Sequence, residues 1–218
     1  MSGQLARAWG NERFGEVAPW EEACLAAEQH DIGMAEWDVR PTLNTETGLP
    51  HSFMEMPLDV HLELWSGAAE KLVAQSRYAA LLVSMHGTAL YEMRDLDTPE
   101  VRAFLADRRT EQERLLASLG LTREAVLRNQ ALLWAWDYLS LALCLDWPPT
   151  VAPGEIDIAL EPAGEERVRV DPWPFRAPTV RVHCEGRLLT ERFSDEEKMR
   201  AALADAPWLT LERELIPA

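Results

Sequence analysis

"LRNQALLWAWDYLSLALCL", residues 127–145, poses the question on which the fold turns. Wound as a helix, the segment is apolar over most of its circumference, so it belongs at the centre of a helical layer rather than on a surface. Asp137 nevertheless sits in the middle of it. Leu133 and Trp134 lie one turn before this aspartate, Ser140 and Leu141 one turn after, and Cys144 two turns after. A carboxylate on such a face has to be paired, hydrogen-bonded or bound to a metal, because an unpaired buried charge is very costly. Its partner must come from elsewhere in the chain.

Upstream of this segment the apolar residues keep helical spacing as far as the N-terminus. Residues 20–36 read as a helix with Ala23, Ala26, Ala27 and His30 on one side and Pro19 near its start. "RPTLNTETGLP", residues 40–50, then breaks the pattern with a long loop of the kind that often carries function. Helices follow over about residues 58–75 and through "YAALLVSMHGTALYEM", residues 78–93, whose continuity at Gly87 the sequence leaves open. Thr98-Pro99-Glu100 supplies an N-cap, a proline at the first helical position and an acid in the first turn, and Gly120 closes that helix. Thr122 opens the next, which contains Asp137 and runs to a break at Pro148-Pro149.

Downstream the period changes to two. "IDIAL", "RVRVD", "TVRVHCEGRLLTERF" and "WLTLEREL" read as strands, with Glu185-Gly186 as a hairpin turn and a short helix from Ser194 before the last strand. The expectation is a mostly α chain: a helical bundle over residues 1–150 with a small β-rich extension over residues 151–218 packed on it, α+β overall.

With 218 residues, 47% of them hydrophobic, the chain can bury a sizeable core. The balance of 21 basic against 37 acidic residues gives a net charge of -16, which repels a phosphate backbone and argues against nucleic-acid and anionic-membrane partners. Lysine occurs only at positions 71 and 198, so arginine supplies nearly all positive charge and is suited to clamp an anion with two hydrogen bonds. Cys24, Cys144 and Cys184 form no C-x-x-C pair, and point to a reducing cytoplasm with thiols in the core. The sequence shows no leader and no apolar run of membrane-spanning length.

The partner of Asp137 is sought among the histidines. His61 shares a helical face with Leu64, Trp65, Ala68 and Leu72, and His86 has Leu82, Val83, Ala89 and Leu90 one turn away, so both point inward. His30, Asp31, His61, His86 and Asp137 thus come from four helices and converge on one bundle interior. Imidazole and carboxylate are ligand types for Fe, Mn, Zn or Mg, as one or two divalent ions. The alternative is that each polar group separately satisfies a neighbour. His51 lies in the loop as a rim or substrate group, and His183 lies in a strand as a structural residue. Arg40 and Arg94, with Tyr91 close in sequence, are candidate phosphate-binding residues or else surface ion pairs. Asp38 is placed at a pocket rim, with Trp37 and Trp65 as walls. No G-x-S-x-G, H-E-x-x-H, Walker A loop or G-x-G-x-x-G occurs, so those chemistries lack their mechanical parts.

The order His-Asp, His, His, Asp on successive helices resembles the HD-domain superfamily of metal-dependent phosphohydrolases and its related di-iron oxygenases. "HDIG" at residues 30–33 looks like its signature and "WDYLSLAL" like its last metal-binding aspartate helix. "WGNERF", "HDIGMAEWD", "GLPHSF", "LLVSMHGTALY" and "WDYLSLALC" are similar to a bacterial HD-like family of uncharacterised function. That family has a further histidine just upstream of a stretch like "SGQLARAWGN". Here this stretch starts at Ser2, which implies either a start upstream or a site one ligand short. Met34 stands where the cyclic-dinucleotide phosphodiesterase branch has lysine, which argues against that substrate.

The resemblance implies a metal-dependent hydrolase of a small phosphorylated molecule. Asp31, His30 and Asp137 would form one centre, and His61 and His86 would serve a second centre or the scissile phosphate. Its alternatives are a di-iron oxygenase with the same ligands, or a non-catalytic helical binding protein.

Overall fold

Much of the helical punctuation survives in the fold. The computed structural model describes residues 1–94, 96–147 and 149–218. The chain begins with α1 (Ser2–Ala8), α2 (Trp20–Glu28), a single 3-10 turn (Ile32–Met34) and α3 (Ala35–Val39). A short ladder of β1 (Leu43–Asn44) and β2 (Leu49–Pro50) occupies the loop expected at residues 40–50. Then come α4 (Leu58–Ser66), α5 (Glu70–Val73), α6 (Arg77–Met93), α7 (Pro99–Leu119) and α8 (Glu124–Cys144). The C-terminal part holds β3 (Thr150–Val151), β4 (Ala159–Pro162), β5 (Arg167–Asp171), β6 (Val180–Arg187), α9 (Glu196–Asp205) and β7 (Trp208–Pro217).

Local chemistry sets several of these boundaries. At α7 the Thr98 hydroxyl accepts from the Val101 amide, Pro99 fills the first turn, and Gly120 ends the helix in the left-handed region at φ 67°. Residues 77–93 form one uninterrupted helix, which answers the question at Gly87. A Cβ there would lie 2.8 Å from the Trp65 ring, so glycine is what lets α4 approach α6. The segment expected as one helix over residues 20–36 instead breaks after Glu28. The turn that follows packs on α4 so closely that a Cβ at Gly33 would sit 2.6 Å from the Leu64 carbonyl oxygen. Residues 58–75 likewise divide into α4 and α5. At the expected Pro148-Pro149 break, α8 has already ended at Cys144, and Pro148 lies outside the described residues.

The expectation of a mostly α, HD-domain-like helical bundle with a small β appendage is corrected by the sheet. Helices account for about 49% of the chain, and five strands form one mixed sheet in the order β3-β4-β5-β7-β6. The physical reason is non-local pairing. β7 inserts between β5 and β6, parallel to the first and antiparallel to the second over the length of β6. Alternation identifies a strand but does not say which neighbour it will take. The expected hairpin turn fails for the same reason: Glu185 and Gly186 lie inside β6 and pair with Thr210 and Leu209.

Helices and sheet share one apolar core. Trp9, just past α1, is fully buried against Trp136 of α8 and Phe175 ahead of β6, with ring centroids 5.9 and 5.8 Å away. Val180 and Val182 of β6 turn inward while Arg181 and His183 face out. β6 is an edge strand, and Gln4 closes part of that edge. Its side-chain amide donates to the His183 carbonyl and accepts from the His183 amide, both at 2.9 Å. No described helix is long and apolar enough to cross a membrane.

Candidate metal centre

His30 follows the last turn of α2, where the chain swings into the 3-10 turn. Its Nδ1–H donates to the Ala27 carbonyl at 2.9 Å. A carbonyl can only accept, so this bond fixes the proton on Nδ1 and turns Nε2 toward the interior. There Nε2 hydrogen-bonds with Asp137 Oδ1 at 3.0 Å and lies 3.2 Å from Asp31 Oδ2. Burial alone would lower the pKa of His30, but the carboxylates of Asp31 and Asp137 outweigh it and hold the imidazole well above its usual range.

His86 sits mid-helix in α6 and is 1% exposed. Its ring is packed between Trp65 and Trp134, at 5.8 and 5.5 Å, and meets His30 edge-on at 5.4 Å. His86 Nε2 is 3.4 Å from Asp137 Oδ2 without hydrogen-bonding geometry, and among the described residues this buried nitrogen has no other hydrogen-bond partner. Asp137 itself is 13% exposed on its side chain. Burial pushes its carboxyl up, yet the facing His30 and His86 imidazoles win and hold it well below the usual carboxylate range.

One ligand atom from each of His30, His86 and Asp137 thus lies within 4.8 Å of the other two. Two imidazoles and a carboxylate form a donor set that suits a divalent transition metal. The partnerless His86 nitrogen supports that fit independently, since a cation between it and Asp137 would satisfy both. Asp31, with its side chain 58% exposed, stands at the solvent side of the same group.

A cavity of about 200 Å³ opens onto Asp31, His86 and Asp137. Met34, Phe53, Trp65, Leu90 and Leu141 give it an apolar wall, and Asp38 and Arg94 stand among its polar lining. His61 also lines it but offers no free nitrogen. Trp65 Nε1–H donates to His61 Nε2 at 3.2 Å, which leaves the His61 proton on Nδ1, and that N–H donates to the Tyr91 hydroxyl. Burial, and then the Arg94 charge, lower the His61 pKa to about 4. Tyr91 is itself pushed up to about 12 by burial, against the Arg94 charge, whose guanidinium lies 5.6 Å from its ring centroid.

The structure therefore gathers His30, Asp31, His86 and Asp137, keeps His61, Tyr91 and Arg94 beside them, and leaves Arg40 exposed at the end of α3, away from the cavity lining. His51 lies outside the lining too, with Nδ1 2.9 Å from the Thr42 hydroxyl. Several groups went unassigned in the sequence. Trp134, Leu90 and Leu141 lie one turn from Asp137 or His86, so the sequence places them as core neighbours without assigning them to the site. Phe53 comes from an irregular loop and carries no periodic signal. The Ala27 carbonyl, a backbone group, has none at all.

A family model, DUF3891, described as a protein of unknown function, matches residues 1–191. The matched span includes every residue of the site and stops before α9 and β7. No curated protein and no solved structure matches the chain.

Proposed function

The chain belongs to the DUF3891 family, and from its own residues we propose that it is a cytoplasmic, metal-dependent hydrolase of a small phosphorylated molecule. The observation that carries this reading is the convergence of His30, His86 and Asp137 within 4.8 Å, with a buried His86 nitrogen left without a partner among the described residues. These three residues would hold one divalent ion. When bound, the ion would supply Lewis-acid polarisation of a phosphoryl oxygen and lower the pKa of water toward neutrality.

The rest is done by the chain. The Ala27 carbonyl holds the His30 ring so that Nε2 faces inward, and Trp65 and Trp134 fix the plane of His86. Asp31 is the carboxylate open to solvent at the edge of this group. Arg94 supplies positive charge for the anion in a chain otherwise strongly acidic. The apolar wall limits water around the reacting group. A second ion is not supported by His61, because both of its nitrogens are engaged within the protein.

The test is elemental analysis after reconstitution with Fe, Mn, Zn and Mg in turn, followed by phosphate release from a panel of small phosphate monoesters. About one ion per chain with phosphate release is the expected result. No ion above background would remove the metal centre. An ion bound without phosphate release from any ester would remove the hydrolase reading alone.

A further inference from the structure

Away from the cavity, the fold brings together two thiols from different layers. Cys144 is the last residue of α8 and Cys184 lies within β6. They are 40 residues apart in sequence, and their sulfurs are 3.7 Å apart. Strand alternation explains the meeting: Cys184 continues the inward-facing set of Val180 and Val182, toward the helical layer. Both thiols are free and half-buried, whereas the third, Cys24, is fully buried within α2. A disulfide needs about 2.05 Å between sulfurs, so the two sulfurs, already in contact, have less than about 2 Å to close.

We propose that Cys144 and Cys184 form a thiol–disulfide exchange site that takes a small-molecule disulfide of the glutathione class and becomes a covalent clasp between α8 and the sheet. One protein thiolate attacks a sulfur of the small disulfide, whose S–S bond breaks to release one small thiol after it takes up a proton. The second protein thiolate then attacks the protein sulfur of that mixed disulfide, forms the Cys144–Cys184 bond and expels the second small thiol. The protein pair gives up two electrons and two protons, and the small disulfide gains them. Burial, then neighbouring Cys184, pushes the Cys144 thiol up to about 11, so the exchange quickens as pH rises. Asp137 lies two turns back on α8, so the clasp would pin the helix that carries a candidate ligand without touching the ligand itself.

The experiment incubates the full chain with oxidised glutathione at mildly alkaline pH, alkylates the remaining thiols, and maps peptides by mass spectrometry. Free thiols should fall from three to one, with a 144–184 cross-linked peptide and Cys24 alkylated. Tm should rise, and reductant should reverse both changes. Cys184→Ser should abolish the cross-link and the rise in Tm. Three surviving thiols, glutathione adducts without a cross-link, or a cross-link through Cys24 would each overturn the proposal.

Discussion

Two histidine clusters face the same cavity, and they differ in how fully the protein uses their nitrogens. His61 is spent: Nε2 accepts from Trp65 and Nδ1–H donates to Tyr91, so the imidazole is a neutral strut that fixes two aromatic side chains. His30 donates Nδ1–H to a backbone carbonyl and hydrogen-bonds through Nε2 to Asp137, a carboxylate that can itself bind a metal. His86 leaves Nε2 with no partner among the described residues. Burial and residue type are alike in the two clusters, so neither separates a ligand from a strut. The unspent bonding capacity does, because a buried polar atom without a partner is costly unless something else binds it.

The contrast breaks most sharply at Asp137. Asp137→Ala removes the carboxylate that the buried His30 and His86 rings face, at a cost of about 3–5 kcal/mol for a broken buried pair. Bound metal should fall to background. His61→Phe should also destabilise, since the Trp65 N–H and Tyr91 hydroxyl lose their partner, but it should keep the metal. Denaturant unfolding and elemental analysis of both variants decide the matter. Metal lost equally from His61→Phe would erase the distinction.

A second break uses pH, because the two clusters titrate in opposite senses. The folded pKa of His61 is about 4, below its ordinary value, so its contribution is complete above about pH 6.5 and is lost as pH falls toward 4. The linkage amounts to about 3 kcal/mol for a shift of this size. In metal-free protein His30 has the reverse sign: its raised pKa contributes stability present at low pH and lost as pH rises through the folded value. Urea titrations in chelator should show an acid limb whose part between about pH 6.5 and 4 is lost in His61→Phe, while the loss at lower pH from Asp137 and the alkaline decline remain. An unchanged acid limb in that variant would assign it elsewhere.

How much of this was legible in the sequence depended on the range of the interaction. α7 could be read from Thr98, Pro99 and Gly120 because its caps are local chemistry. The inward face of Asp137 followed from helical spacing, and so did the convergence of His86 with it. The place of β7 was not legible, because a strand inserted between β5 and β6 is chosen by neighbours that alternation does not encode. That is why a five-stranded mixed sheet looked like a small appendage. His61 is offered by the sequence for a second centre or the scissile phosphate, and its partners were not legible for a related reason. Its face could be read, but the Trp65 and Tyr91 atoms that occupy its nitrogens depend on side-chain placement across α4 and α6.

The smallest expected effects separate the two arginines that the sequence offered as anion-binding residues. Arg40 is exposed and away from the cavity lining, so Arg40→Ala should change stability by less than about 0.5 kcal/mol and leave turnover alone. Arg94 lines the cavity and acts on His61, because its charge is one cause of the lowered His61 pKa. Arg94→Ala should therefore do two things at once. It should raise KM for an anionic ester, and it should move the midpoint of the acid limb upward, toward the ordinary histidine range, by relieving the repulsion that keeps His61 neutral. Both readouts come from one variant, and they fail separately. A shifted acid limb with unchanged KM would keep Arg94 as a neighbour of the strut and deny it the substrate.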